Sequence, residues 1–214
     1  SGDYNSATGF RSLFKNTTGW NNTATGSSSL WSNTSGADNT ADGSQSLHAN
    51  TEGIANTAVG SRSLYRNLTG GLNTAVGFGS LSSNLTGYDN VAVGNSSLFA
   101  NGSGNNNTAL GSGAGVSATG SGNLFLGYRA GSGETDSNRL YVANGDNPLI
   151  YGQFDTTRVA IGATDPTATL DVNGSLRIRG LTGAGVRALA VAATGALVPS
   201  AGGGTPGGDS ILYL

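Results

Sequence analysis

Apolar and polar positions follow a fixed seventeen-residue cycle from residue 5 to residue 111. Each cycle reads N-T-A-V-G-x-x-S-L-x-x-N-x-T/S-G-x-x, with alanine and leucine as the constant apolar positions. The N-T-A-V-G part alternates with a period of two, which predicts a short strand. We interpret x-x-S-L-x-x as a second short strand or extended edge. The N-x-T/S-G part predicts a turn, because Asn and Gly tolerate positive φ.

Such a cycle is too short for a repeat that contains a helix, so it predicts one coil of an all-β, parallel β-roll or β-solenoid. Coils stack at the inter-strand spacing of ~4.8 Å, so seven coils would span roughly 34 Å. Identical residues then form columns along the stack. Alanine and leucine columns would fill a narrow interior, and the asparagine columns would satisfy backbone groups at the turns by amide stacking.

The column after the leucine holds five aromatic or imidazole rings and one serine, Ser82. An exposed column of rings would leave an apolar stripe, and a thin coil has little interior of its own. We therefore predict burial between the subunits of an intertwined homotrimer. The predicted oligomer interface comprises Phe14, Trp31, His48, Tyr65, Phe99, Leu13, Leu30, Leu47, Leu64, Leu81 and Leu98.

The repeat decays after Gly111 and returns once, imperfectly, at residues 123–127. Ala-Gly replaces Ser-Leu there, as expected of a capping coil. We predict a β-roll domain of seven coils and this cap over residues 1–133, and a small β-hairpin module over 134–199. Short strands are predicted in that module at 139–143, 148–154, 158–162, 169–172, 175–179, 186–191 and 196–199.

The last residues form a Gly-rich linker, 200–208, and an apolar segment, 209–214. An apolar segment on a tether either folds back on its own subunit or adds to the edge of another chain. We predict a docking strand made by Ile211, Leu212, Tyr213 and Leu214.

Composition narrows the classes of partner. Only 10% of the 214 residues are charged and the net charge is −2, so nucleic acid is not an expected partner. The sequence has no apolar run of 18 residues, so no membrane insertion is expected. It has no cysteine, which excludes disulfides and thiolate metal sites. The start at Ser1-Gly2-Asp3, without Met, is typical of a mature or trimmed product and favours export.

Candidate chemistry is sparse. His48 is the only histidine and sits in a repeat column, so we interpret it as a packing substitution. No convergent catalytic set, calcium loop or phosphate loop is recognisable, so we predict no enzyme activity, no metal and no cofactor. A glycosidase carboxylate pair at subunit junctions is a minor alternative. Ice binding by the threonine column is a second minor alternative. It would need paired columns of hydroxyl groups, and the neighbouring column is not rich in hydroxyls (Thr8, Thr25, Asp42, Val59, Val76, Val93, Leu110).

The N-T-A-V-G and S-L columns resemble the left-handed parallel β-roll heads of trimeric autotransporter adhesins, whose repeats are usually shorter than seventeen residues. The order of parts is similar to that of bacterial and phage tail-fibre-like surface proteins. Such repeats lead there into segments like 138–155 and 159–179. The resemblance covers nearly the whole chain to about residue 198, and implies an extracellular or cell-surface homotrimer. Many relatives continue into a self-cleaving chaperone domain, which is absent here or has been removed.

Two functions follow as hypotheses. The first is a structural subunit of an extracellular trimeric fibre, which polymerises end to end when Ile211–Leu214 inserts into a neighbouring trimer. The second is an adhesin or receptor-binding tail fibre that presents its tip to a cell-surface glycan. In both, the main partner is a second copy of the chain.

Overall fold

The computed structural model describes residues 2–176 and the strands at 189–191 and 197–199, and this part of the chain contains no helix. The strands are β1 (Ser6–Thr8), β2 (Thr23–Thr25), β3 (Thr40–Asp42), β4 (Thr57–Val59), β5 (Thr74–Val76), β6 (Val91–Val93), β7 (Thr108–Leu110), β8 (Leu124–Leu126), β9 (Arg139–Ala143), β10 (Pro148–Gln153), β11 (Arg158–Ile161), β12 (Leu170–Val172), β13 (Leu189–Val191) and β14 (Leu197–Pro199).

The chain is a β-solenoid of about eight turns, as the repeat predicts. Strands β1 to β9 lie side by side in sequence order and all pair in parallel. Ala24 pairs with Ala41, and Ala41 with Ala58, so each coil places the same residue over the last. The final two coils shorten to sixteen residues, because Thr108 pairs with Leu124 and Leu124 with Leu140.

The predicted second strand in each coil is wrong. Only three residues per coil are extended, and the Ser-Leu segment is a series of turns. The six leucines from Leu13 to Leu98 all have φ between 47° and 50°, in the left-handed region. The reason is visible at Ser29 and Leu30, which are neighbours in sequence and both fully buried. An extended backbone would send one of them outward, so both can face the interior only through a turn.

The asparagine columns satisfy the turns as predicted. The side-chain Nδ2 atoms of Asn22 and Asn33 both donate to the carbonyl oxygen of Gly36, at 2.8 Å and 2.9 Å. The same Nδ2 of Asn22 also donates to Oδ1 of Asn5, 3.1 Å away in the preceding coil. The side-chain amide of Asn22 thus hydrogen-bonds both to the preceding coil and to the glycine of the turn in its own coil.

The glycine that ends each turn is required for space, not for positive φ. Gly36 does not have a positive φ. A Cβ atom there would lie 2.5 Å from the carbonyl oxygen of Gly53 and 2.8 Å from Nδ2 of Asn50. A side chain would therefore push adjacent coils apart. The predicted reason for glycine at this turn is corrected accordingly.

The interior consists of one alanine column and one leucine column. The leucines of five consecutive coils have no exposed surface within the single chain: Leu30, Leu47, Leu64, Leu81 and Leu98. Leu13, in the first coil, is partly buried. The five fully buried side chains fill the core of their own chain, so they offer no surface to another subunit. For these five leucines the predicted interface is corrected to the chain's own core, and Leu13 stays a predicted interface residue.

The core changes composition at the end of the repeat. Phe125 takes the alanine position and is fully buried. Glycines stand at the leucine position of its own coil and of the preceding coil, and a Cβ on Gly115, in the preceding coil, would lie 2.7 Å from the Phe125 ring. A Cβ on Gly131 would overlap the same ring. One large ring therefore occupies the space that alanine and leucine share elsewhere, which confirms that this coil is atypical.

The sheet continues past the predicted domain boundary at residue 133. Strand β9 pairs in parallel with β8, and β10 then pairs antiparallel with both β9 and β11. Rings continue the core, with Phe125 and Tyr141 at 5.9 Å and Tyr141 and Tyr151 at 5.1 Å between centroids. Residues 1–171 form one compact unit, so the boundary at 133 falls inside it.

Residues 172–214 form a second unit, described only in part. Strands β13 and β14 pair antiparallel, with Leu189 opposite Pro199, which confirms the predicted pairing of 186–191 with 196–199. Ser175 and Leu176 are not in a strand. Residues 177–179 of the predicted Asn-Gly hairpin, the linker 200–208 and the docking strand Ile211–Leu214 lie outside the described residues.

Candidate functional site

The aromatic column forms a stacked ladder on the outside of the coils. Ring centroids are 6.3 Å apart for Phe14 and Trp31, 5.2 Å for Trp31 and His48, and 5.2 Å for His48 and Tyr65. The first two pairs are nearly parallel, at 5° and 9°. We call these four rings, with Phe99 two coils further on, the aromatic ladder. The turns bring together four of the rings that the sequence assigns to an interface.

Much of the ladder is covered within one chain. Trp31, His48 and Tyr65 are half-buried, whereas Phe14 at the end is 62% exposed. The Lys15 ammonium lies 3.8 Å from the centroid of the Trp31 ring, within cation–π range. Burial, and secondarily the charge of Lys15, lower the pKa of His48. The neutral imidazole is therefore the form that fits between its neighbours.

The ladder is interrupted at Ser82, where an open groove of about 450 Å³ lies between Tyr65 and Phe99. We call it the ring slot. It is lined by Arg62, Tyr65, Arg66, Phe78, Gly79, Ser82, Ser83 and Phe99. Ser82 is buried at the base of the slot, while both arginines are exposed. Sequence reasoning treated Ser82 as a gap in the column and did not connect it with the arginines.

A second apolar column runs along the outer face of the parallel sheet. It consists of Val59, Val76, Val93, Leu110, Leu126 and Val142, which pair in register on six consecutive strands. We call it the valine stripe. Leu110 is 52% exposed and Val59 36%, and the other four are half-buried. Each faces outward because the residue before it faces inward: alanine on four strands, Phe125 on β8 and Tyr141 on β9.

Sequence reasoning considered part of this column only as a test for ice binding. The signal was present, because the position before the coil's first glycine is polar at Thr8, Thr25 and Asp42 and apolar from Val59 onward. This column of the outer sheet face is therefore polar on the first three strands and apolar on the next six.

Among the described residues, no group of three His, Asp or Glu side chains could hold a metal ion. No helix in the same part of the chain is long and apolar enough to cross a membrane. His48 has ring neighbours and no carboxylate partner at hydrogen-bond distance in the ladder. The expectations of no enzyme activity and no cofactor stay predictions.

Comparison with family models, curated proteins and solved structures gave no match for this chain.

Proposed function

We propose that the chain is a structural subunit of an extracellular fibre, in which three copies pack their solenoids side by side. The observation that carries this proposal is the valine stripe. A stack of coils joined by repeated hydrogen bonds supplies a stiff rod, and the stripe gives that rod an apolar side. The number three and the extracellular location come from the likeness to trimeric β-roll heads.

The valine stripe suits contact with another copy of the same chain. Its side chains repeat at the inter-strand spacing of ~4.8 Å and run for about 24 Å. A second solenoid carries the same spacing, so the two columns can pack in register over their whole length. Removing such a stripe from water favours association, at about 25 cal/mol per Å² of apolar area.

The aromatic ladder stays a predicted interface. Its rings stack on one another, so they have less apolar surface left to bury than an unstacked column of rings would have. The valine stripe is covered to a similar degree, but it runs without interruption over six strands, whereas the ladder is interrupted at Ser82. We therefore place the main contact between chains at the stripe, and the experiment below includes the ladder.

Sedimentation equilibrium of the full chain tests the proposal. We expect trimers, or larger assemblies whose mass is a multiple of the trimer, for the unchanged protein and monomers for Val76→Lys combined with Leu110→Lys. Thr25→Lys is the matched control, since it lies in the same column on a polar strand. A monomeric unchanged chain would refute self-association. A trimer that survives the stripe variants but dissociates on Trp31→Ser and Tyr65→Ser would place the interface at the ladder.

End-to-end polymerisation through Ile211–Leu214 is the finer part of the proposal. Its support is the apolar character of the segment on a Gly-rich tether. Deleting residues 209–214 should leave discrete trimers under negative-stain microscopy. Filaments of unchanged length after the deletion would show that the segment is not the connector.

The adhesin alternative is supported by the ring slot, because a groove walled by aromatic rings is a recognised form of ligand site. Binding of isolated trimers to a glycan array would favour this alternative. The absence of binding would leave the fibre role as the better proposal.

A further inference from the structure

We propose that the ring slot binds an aromatic ring that carries an anionic group. The inference does not need the chain to form a fibre. It requires that the slot is accessible to a ligand, and contacts between chains at the valine stripe would leave the slot accessible.

Along the stack, the slot has the spacing of one missing ring. Rings on consecutive coils stand 5.2 Å apart at Trp31, His48 and Tyr65. Tyr65 and Phe99 belong to coils separated by one intervening coil, hence by about 10 Å along the stack. A ring inserted midway would lie about 5 Å from each, inside the range of offset stacking between aromatic rings. The occupant would continue the ladder through its one interruption.

Three residues of the coil that lacks the ring shape the slot. Phe78 stands in a column that is serine in the three preceding coils, Ser27, Ser44 and Ser61. Gly79 stands where the preceding coil has Arg62, and a Cβ on it would lie 3.7 Å from the Phe99 ring. Ser82 replaces the ring itself. Together they remove side chains from the floor of the slot and add an aromatic wall beside it.

The charge of the slot selects the ligand. Arg62 and Arg66 line it, and no carboxylate does. The Nε of Arg62 donates to Oε1 of Gln45 at 3.1 Å, in the coil on the side away from Ser82, and the Arg62 side chain still lines the groove. A guanidinium pairs bidentately with a carboxylate or phosphate and also stacks on aromatic faces. A neutral ring would use the stacking walls alone, whereas an anionic ring would use both.

Isothermal titration calorimetry with 2-naphthoate tests the proposal, with 2-naphthamide as the neutral probe and cyclohexanecarboxylate as the non-aromatic anion. We expect saturable binding of 2-naphthoate to one site per chain. Both control probes should bind about tenfold more weakly or not at all, because each lacks one of the two interactions. Equal binding of either control, or no binding of 2-naphthoate at millimolar concentration, would overturn the proposal.

Two kinds of variant locate the site. Ser82→Phe should fill the slot and abolish binding, and the fold should accept it because the same column carries Phe14 and Phe99. Its matched control, Ser27→Phe, adds a ring in the column of Phe10 and Phe78 and should bind normally. Arg62→Ala with Arg66→Ala should weaken 2-naphthoate but not 2-naphthamide. Unchanged affinity in Ser82→Phe would place the ligand elsewhere and refute the proposal.

Sedimentation of the same samples separates this inference from the proposed function. A monomer that binds 2-naphthoate at the slot would refute the trimer and retain the site. A trimer that fails to bind 2-naphthoate would refute the site and retain the trimer.

Discussion

Replacing Asn56 by alanine tests whether the asparagine column holds the coils together. Asn56 lies in the middle of the stack and is fully buried. Its Nδ2 donates to Oδ1 of Asn39 at 3.0 Å and to the carbonyl oxygen of Gly70 at 2.9 Å. Its Oδ1 accepts from the backbone N–H of Asn73 at 3.1 Å and from Nδ2 of Asn73 at 3.0 Å. Alanine removes all four bonds.

The four lost hydrogen bonds differ in their cost in free energy, because some of the partners keep another hydrogen bond and one does not. Gly70 keeps the bond from Nδ2 of Asn67 at 2.8 Å, and Nδ2 of Asn73 keeps the carbonyl of Gly87 at 2.8 Å. The backbone N–H of Asn73 loses its acceptor, and a buried unsatisfied donor costs about 1–3 kcal/mol. The two bonds donated by Asn56 contribute about 1 kcal/mol each. We expect unfolding free energy to fall by about 3–5 kcal/mol.

Two measurements check this prediction. Urea denaturation gives the change in unfolding free energy, and hydrogen exchange followed by NMR gives the protection of the Asn73 amide. Glu52→Ala, an exposed change in the adjacent coil, is the control and should have little effect. Asn5→Ala, in the partly exposed first coil, should cost less than Asn56→Ala. A loss below about 1 kcal/mol for Asn56→Ala, with unchanged exchange at Asn73, would refute the reasoning.

Two further predictions concern the rings. Phe125→Ala should cost about 3–5 kcal/mol of unfolding free energy through the cavity it leaves. Adding Gly115→Leu to Phe125→Ala should recover part of that loss, because the leucine fills the space of the ring. Gly115→Leu alone should destabilise the protein, because its side chain overlaps the Phe125 ring. If the effects of the two substitutions were strictly additive, the two side chains would not share this space. Because the pKa of His48 is lowered from its ordinary 6.5 in the folded chain, the unfolded chain takes up its proton first as pH falls. The melting temperature of the unchanged protein should therefore drop relative to His48→Phe below about pH 6.5, and parallel curves from about pH 8 to about pH 5 would contradict the shift.

The seventeen-residue period was enough to predict the parallel coils, the strand at each N-T-A-V-G and the stacking of asparagine amides. Each of these depends on a column that repeats without exception, such as Ala24, Ala41 and Ala58. The strands at 139–143 and 158–162 followed from short apolar runs between turn residues, and the structure confirms them within one or two residues.

The turn around each leucine could not be predicted. Leucine pays a steric cost at positive φ, so a sequence argument assigns it to an extended segment. Contacts with the coils above and below decide otherwise: Leu30 N donates to Ser46 O at 3.0 Å, and the side chain fills the core. Those contacts exist only after the coils stack. The ring slot could not be predicted for a related reason: its lining residues Arg62, Ser82 and Phe99 lie in three different coils and meet only after the coils stack.

Because the coils share one register, deleting or inserting a whole repeat in the sequence would change the length of the solenoid and keep its core columns aligned. Residues 74–90 are one complete period, and Asn73 and Asn90 end equivalent segments. A gene lacking these codons would encode a rod shorter by about 4.8 Å, with its core still in phase. The same deletion would remove Ser82 and bring Phe99 next to Tyr65. Gain or loss of a single repeat would thus adjust the reach of the protein and, at this one coil, create or erase its binding groove.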